Sequence, residues 1–348
     1  ADYADSAYEA CTEFYSPDCY QYAYIAAERY MFIRNYEKAA KLFREVLDKT
    51  EEYPKVEFYY ARMLQMTGRY YQAMPHFKKF KNSYRGRDGF DYKELSQNLI
   101  KGSQLALNDT NEKEFEVIHL GEEVNAAYTD MAPFLVDSDR LLFGSVRRND
   151  LLVLEKGESE GQKAKASLYL SEDDKGWTQA NLADYEFNDT KKDVTNAFLD
   201  ANSGLMFFTY CDKDKDYGGV RCDIYMAKAF GPGYEKPIKL PESINDPVSS
   251  NTQPAAFSKE DDDEVHLYFA SDREDSRGGM DLWYSVYNIK KDDWSKPRNL
   301  GRDINTAFDE TTPYYDGSEQ KLYFSSEGLE SIGGLDVFSI NGSESRFS

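Results

Sequence analysis

The densest group of side chains that could do chemistry lies in the segment CDKDKDYGGVRCD, residues 211–223. Four of its carboxylates have the spacing of the ligands at positions 1, 3, 5 and 12 of a calcium-binding loop. They are Asp212, Asp214, Asp216 and Asp223. Such a loop needs glycine at position 6, where this chain has Tyr217, and the flanking residues predict strands. The segment is therefore either a calcium site or a solvated hairpin tip whose lysines offset the acids.

The four cysteines form two close pairs, Cys11 with Cys19 and Cys211 with Cys222. Neither pair has the spacing of a metal site, and the chain has only three histidines. Close pairs in even number are candidate disulfides, which indicate an oxidising compartment. Buried, unpaired thiols are the alternative for both pairs.

The HExxH signature of metalloproteases and the P-loop motif are both missing from the sequence. One aspartate recurs after each glycine-rich stretch, as Asp223, Asp281 and Asp336. A residue repeated from unit to unit indicates a structural acceptor of hydrogen bonds in a tight turn. We therefore predict no catalytic residue and no cofactor.

The elements that position these residues follow from two internal periods, of which the first covers residues 20–108. Residues recur there after 34 positions, Ala27 as Ala61 and Phe43 as Phe77, within amphipathic helical patterns. The pattern resembles the tetratricopeptide repeat. Residues 1–110 are therefore predicted to form an array of paired helices, which implies a groove for a peptide or a protein, or a spacer.

The second period, of about 60 residues, begins near residue 114. Short apolar runs alternate there with Gly, Asp, Asn and Ser clusters, and HLYFAS and GGMDLW recur as KLYFSS and GGLDVF. Four copies are visible, and each predicts a four-stranded antiparallel blade. Residues 114–348 are therefore predicted to form a β-propeller of four visible blades, expected to be part of a larger ring. The predicted fold class is an α-helical array followed by an all-β propeller.

The repeat pattern IN…P…DG…LYFxS…GGxD resembles the WD40-like, TolB-type propeller repeat. A helical array followed by such repeats is similar to envelope proteins of the Bacteroidota OmpA family, including PorE-like components of type IX secretion. The resemblance implies a non-enzymatic scaffold that links a secretion or gliding machinery to the cell wall. It also implies a periplasmic, outer-membrane-associated location, other envelope proteins as partners, and peptidoglycan contact only through a domain that this chain lacks.

The composition opposes binding to nucleic acid and insertion into a membrane. The formal net charge of −21 opposes contact with nucleic acid or anionic lipid, and no apolar run is long enough for a membrane span. Two alternatives to the scaffold stay open. One is a propeller hydrolase or lyase, which needs acids converging on the funnel, and the other is a glycan- or peptide-binding module of nutrient uptake.

Overall fold

The structure, a computed structural model, describes residues 19–108, 116–147, 165–188, 192–231 and 233–347. The chain divides into two compact units. The helical unit comprises the N-terminal part of the chain to Glu114 together with the segment Ser326–Asp336. The second unit comprises the remaining residues and holds most of the strands.

The helical unit contains five described helices. They are α1 (Cys19–Phe32), α2 (Tyr36–Lys49), α3 (Val56–Met66), α4 (Tyr70–Ser83) and α5 (Gly89–Asn108). Each helix packs against the next one along the chain. The alanines of the 34-residue period, such as Ala27 and Ala61, are fully buried, because their small side chains let neighbouring helices approach closely. Phe43 and Phe77 are also fully buried, and each ring contacts an aromatic ring of α3, Phe43 that of Tyr59 and Phe77 that of Phe58.

The segment Ser326–Asp336 belongs to the helical unit through polar contacts with α3 and α5. Gln65 Nε2 donates to Ser331 O at 3.2 Å, and Asn98 Nδ2 donates to Gly328 O at 2.8 Å. A Cβ atom added to Gly102 would lie 2.0 Å from Ser331 O, so glycine is required for this approach. The sequence-based boundary at residue 110 did not include this segment.

In the described part of the chain, eighteen strands form four antiparallel sheets, which we number blades 1 to 4. Blade 1 contains β1 (Asp130–Leu135), β2 (Arg140–Ser145), β3 (Ser167–Glu172) and β4 (Asn181–Leu182). Blade 2 contains β5 (Asp193–Asp200), β6 (Leu205–Asp214), β7 (Gly219–Phe230), β8 (Gly233–Tyr234) and β9 (Ile238–Lys239). Blade 3 contains β10 (Asn251–Ser258), β11 (Glu264–Ser271), β12 (Asp281–Asn288), β13 (Asp293–Trp294) and β14 (Arg298–Asn299). Blade 4 contains β15 (Glu310–Asp316), β16 (Lys321–Ser326), β17 (Asp336–Ser343) and β18 (Arg346–Phe347).

The four blades form a β-propeller, in agreement with the coarse fold prediction of helices followed by a propeller. The apolar faces of consecutive blades share a core, in which Phe207 and Ile224 of blade 2 pack with Leu267 and Phe269 of blade 3. The inner strands β1, β5, β10 and β15 each pack against the next in this order. Across the described parts of β1 and β15, no comparable packing joins the first inner strand to the last.

In each of blades 1, 2 and 3, one asparagine joins the blade to the connection that follows it. Asn188, Asn245 and Asn305 lie after blades 1, 2 and 3, and each bonds both the N–H and the C=O of one residue in the third strand. The partner residues are Leu168, Ile224 and Leu282. We call this arrangement the asparagine clasp. It satisfies backbone groups at buried positions, which would be costly to leave unpaired.

No helix in the described part of the chain is both long and apolar enough to cross a membrane.

Candidate ligand-binding site

The acidic segment singled out from the sequence forms the hairpin of β6 and β7. A disulfide joins Cys211 to Cys222 across this hairpin, with their Cα atoms 4.1 Å apart. Cys19 is also disulfide-bonded, and its predicted partner Cys11 lies outside the described residues.

The four aspartates of this hairpin do not converge on one point. Asp214 Oδ2 accepts from Arg221 Nε at 2.8 Å, and this bond is the main reason why the pKa of Asp214 lies below its usual value. Asp223 accepts from Arg221 Nη1 at 2.9 Å and from Lys239 Nζ at 2.8 Å. Within the described residues, no group of three or more acidic, His or Cys side chains could hold a metal ion.

The recurring aspartates have two different roles. Asp281 accepts from the backbone N–H of Arg277 at 2.8 Å, and Asp336 accepts from that of Gly333 at 2.9 Å. Both carboxylates therefore close the tight glycine turn before their strand, the role predicted for all three. Asp223 departs from the pattern because its carboxylate pairs with basic side chains.

A cavity of about 300 Å³ lies where the four inner strands meet, and its lining comes from all four blades. Its lining residues are Ala132, Pro133, Phe134, Asn196, Ala197, Phe198, Gln253, Pro254, Thr312, Pro313 and Tyr314. None of these side chains carries a charge, although the chain as a whole is strongly acidic. The residues that line this cavity therefore include none of the converging acids that the hydrolase alternative requires.

The backbone gives the cavity a repeated frame. Each inner strand has one residue in the left-handed region, with φ of 49° at Ala132, 53° at Asn196, 54° at Gln253 and 51° at Thr312. In the first three blades the pairing register with the second strand shifts at this residue, which marks a β-bulge. A left-handed conformation costs a non-glycine residue about 1–2 kcal/mol, and such strain concentrates at functional sites.

Three aromatic rings, one each from blades 1, 2 and 4, belong to the cavity lining. The ring centroids of Phe134 and Phe198 are 4.7 Å apart, and those of Phe198 and Tyr314 are 6.2 Å apart. Burial, followed by the nearby charges of Asp316 and Glu319, raises the pKa of Tyr314, so its hydroxyl stays neutral and keeps its proton.

Two amides, of Asn196 and Gln253, belong to the polar part of the lining. Asn196 Nδ2 donates to Thr195 Oγ1 at 3.0 Å and to Thr252 Oγ1 at 3.3 Å. Gln253 Oε1 accepts from the backbone N–H of Thr312 at 2.9 Å. These bonds fix the orientation of both amides and leave one acceptor, Asn196 Oδ1, and one donor, Gln253 Nε2, without a partner among the described residues. The lining thus includes one free amide acceptor, one free amide donor, the hydroxyls of Thr312 and Tyr314, and three rings.

The sequence analysis did not predict this site, although the proline of the repeat pattern lies in it as Pro133, Pro254 and Pro313. The left-handed residue precedes each of these prolines, but its type changes from blade to blade. The equivalent residues therefore share a position in the repeat and a backbone conformation, but they share no side-chain type by which the sequence could reveal them.

No known protein family and no curated protein matches this chain. Among solved structures, it is similar to an alpha-L-arabinofuranosidase from Lactobacillus brevis, with 12% identity over 60% of this chain and 71% of that chain and a TM-score of 0.39. An alpha-L-arabinofuranosidase from Clostridium thermocellum matches with 12% identity over 65% of this chain and 74% of its own, also with a TM-score of 0.39. An exo-beta-1,3-galactanase from Phanerochaete chrysosporium matches with 14% identity over 63% of this chain and 48% of its own, with a TM-score of 0.35.

These comparisons correct two predictions. The resemblance to TolB-type, PorE-like envelope proteins is wrong, because no family matches and the structures found are glycoside hydrolases. The predictions of a non-enzymatic scaffold and of no enzyme are also contradicted, since the solved structures found are enzymes. Identities of 12% and 14% and TM-scores of 0.39 and below assign neither a family nor an activity to this chain.

Proposed function

We propose that the propeller recognises a neutral saccharide in the cavity between its four inner strands. The observation that carries the proposal is the uncharged lining, in which three aromatic rings lie beside one free amide acceptor and one free amide donor. A pyranose or furanose ring has an apolar C–H face that packs on aromatic rings, and its hydroxyls both donate and accept hydrogen bonds. Apolar walls with a few placed polar groups are typical of small-ligand sites.

The size and charge of the cavity restrict the range of sugars that it can bind. A volume of about 300 Å³ lies at the small end of ligand sites, which suits one or two sugar rings. No basic side chain lines the cavity to neutralise a carboxylate or sulfate, and the net charge of −21 repels anions. We therefore expect neutral sugars to bind in preference to uronic acids or sulfated sugars.

The experiment is a screen of the full chain against neutral and acidic oligosaccharides, with titration calorimetry on the sugars that bind. Phe198→Ala is expected to weaken binding at least tenfold, which corresponds to about 1.4 kcal/mol. The matched control is Phe230→Ala, because Phe230 is exposed and lies outside the cavity. Binding that is equal in the two variants, or no binding by any sugar, contradicts the proposal. Reducing-end analysis of the same mixtures measures whether the bound sugar is hydrolysed.

We also infer that the helical unit is an array of the tetratricopeptide type. The support is the 34-residue recurrence of Ala39 as Ala73 and of Phe43 as Phe77, all four of which are fully buried. An experimental structure in which successive helix pairs repeat with one constant rotation is the expected result. Helix pairs without a common rotation would contradict this inference.

We further propose that the protein works in an oxidising compartment such as the periplasm. The support is the disulfide between Cys211 and Cys222, because such bonds persist in oxidising compartments. Thiol labelling of the protein in its native cells tests this, and labelling of both cysteines without prior reduction would contradict it.

A further inference from the structure

The residues at the left-handed position of the four inner strands differ in their capacity for hydrogen bonding. Blades 2, 3 and 4 supply polar side chains there, which we call the polar sector of the cavity. They are Asn196, Gln253 and Thr312. Blade 1 supplies Ala132 at this position, and the other residues that it adds to the lining are Pro133 and Phe134. We call these three residues of blade 1 the apolar sector.

Hydrogen bonds connect the polar sector from blade 2 to blade 4. Asn196 Nδ2 donates to the hydroxyl of Thr252, the residue before Gln253, at 3.3 Å. Gln253 Oε1 accepts from the backbone N–H of Thr312 at 2.9 Å, and the hydroxyl oxygens of Thr312 and Ser325 lie 2.8 Å apart. These side chains are therefore held in place before a ligand arrives, and the hydroxyls of a bound sugar find their side-chain partners in this sector.

The apolar sector has no polar side-chain atom to offer. The side chains of Ala132 and Phe134 consist of hydrocarbon alone, and Pro133 also lacks a backbone N–H. The ring centroid of Phe134 lies 4.7 Å from that of Phe198, so the apolar sector adjoins a second ring of the lining. A sugar that packs on these rings meets hydrogen-bonding side chains on one part of its edge and only hydrocarbon side chains on another.

This division discriminates between the groups that a sugar can carry at C5. The hydroxymethyl group of a hexose gives up contacts with water at the apolar sector and gains no side-chain partner there, which is unfavourable. The methyl group of a 6-deoxyhexose has no hydroxyl to satisfy and gains apolar contact. A pentose in its six-membered ring form carries only hydrogen at this position, so it loses no hydrogen bond and gains no methyl contact.

We infer that the cavity selects a 6-deoxyhexose, whose methyl group contacts Ala132 and Phe134 while its ring hydroxyls bond Asn196 and Gln253. The inference rests on the proposed function, because it assigns the class of sugar that the same cavity takes. The acceptor of Asn196 and the donor of Gln253 each suit a ring hydroxyl, since a hydroxyl both donates and accepts. The affinity should decrease from the 6-deoxyhexose through the pentose to the hexose.

Titration calorimetry of the full chain with matched methyl glycosides tests the inference. One series consists of 6-deoxy-D-glucose, D-xylose and D-glucose, which share a ring configuration and differ only in the group at C5. L-Fucose, D-arabinose and L-galactose form a second such series, with all sugars in the six-membered ring form. In each series that binds, the 6-deoxy sugar is expected to bind about tenfold more tightly than the hexose.

Two variants exchange the character of the sectors. Ala132→Asn places an amide in the apolar sector, and it is expected to fold because Asn196 has nearly the same φ at the equivalent position. The new amide can bond the hydroxymethyl group of a hexose, so the preference for the 6-deoxy sugar is expected to disappear. The matched variant Asn196→Ala removes an amide from the polar sector. It is expected to weaken all three sugars of a series by a similar factor and to leave their order unchanged.

A full chain that binds the hexose as tightly as the 6-deoxy sugar overturns this inference and leaves the saccharide proposal standing. A folded Ala132→Asn variant that keeps the whole preference also overturns it. If the chain binds neither these sugars nor any other saccharide, the saccharide proposal fails and this inference fails with it. If Ala132→Asn does not fold, the comparison of the three sugars on the wild type still decides.

Discussion

The carboxamide of Asn245 bonds both backbone groups of Ile224, accepting from its N–H at 2.7 Å and donating to its C=O at 2.8 Å. A third bond runs from Asn245 Nδ2 to Leu240 O at 3.0 Å. One buried side chain thus joins the third strand of blade 2 to the connection that leads to blade 3. This relationship recurs in two other blades and makes the clasp the clearest structural constant of the propeller.

Replacing Asn245 by leucine is expected to lower the free energy of unfolding by about 3 kcal/mol, because buried backbone groups lose their partners. Urea denaturation measures this difference. The matched control is Asn125→Leu, because Asn125 lies before blade 1 and its side chain bonds no blade strand among the described residues. This change should alter stability by less than about 0.5 kcal/mol. Equal losses in the two variants would show that the clasp bonds do not stabilise the fold.

Gly102→Ala is expected to loosen the segment Ser326–Asp336 in the helical unit. The added methyl would lie 2.0 Å from the backbone oxygen of Ser331, whereas alanine is favoured over glycine inside a helix by about 1 kcal/mol. We expect the clash to prevail, with faster amide hydrogen exchange in residues 327–335. Gly89→Ala is the control, because its added methyl meets no atom closer than 3.9 Å. An unchanged rate of amide hydrogen exchange in Gly102→Ala would mean that the segment moves aside at no cost in free energy.

Gln253→Glu is expected to weaken saccharide binding at least tenfold at pH 7. The carboxylate still accepts from the backbone N–H of Thr312, but it brings a charge and loses the free donor. Below the ordinary glutamate pKa of about 4.3, the protonated acid donates again, so part of the affinity should return. Calorimetry at pH 7 and at about pH 3.5 checks this, with Gln253→Ala as a variant that cannot recover. Equal affinities of Gln253→Glu at both pH values would exclude a donor role for this amide.

Glu57 is expected to make the stability of the helical unit depend on pH. Burial, the largest single influence, raises the pKa of Glu57, but hydrogen bonds from His76 and Lys79 together outweigh it and lower the pKa. A lowered carboxyl pKa stabilises the fold above the unfolded-state pKa of about 4.3, and this contribution is lost as pH falls through the folded-state pKa.

Glu57→Gln should therefore cost about 1 kcal/mol at pH 7, and the difference from wild type should shrink below about pH 4. Thermal denaturation across this range measures it, with the exposed Glu51→Gln as control. A difference that does not change with pH would mean that the ion pairs of Glu57 contribute nothing to stability.

The sequence predicted the two kinds of repeat because side-chain periodicity reports directly on local structure. The fully buried Ala27 and Ala61 and the recurring LYF strands follow from spacing alone. The contact of Gln65 with Ser331 could not be predicted, because these residues are 266 positions apart and neither belongs to a repeated pattern. The family resemblance failed because short strand and turn motifs are shared by unrelated propellers.

The candidate site was harder to predict than the fold. Asn196 and Gln253 have different side chains and no motif, and only the backbone conformation that they share marks them as equivalent. The acidic hairpin attracted attention because aspartates at regular spacing suggest a ligand set. In the structure, Arg221 instead pairs with two of these aspartates.

The left-handed residues at the four inner strands have a consequence for how such a protein can change over evolution. Alanine, asparagine, glutamine and threonine all adopt nearly the same φ there, so the shape of the backbone does not depend on which side chain is present. Mutations at these four positions can therefore alter ligand preference while the scaffold stays intact. Ala132 is the simplest position to vary first, because its side chain makes no hydrogen bond to a neighbouring strand, whereas the Gln253 amide bonds the backbone of Thr312.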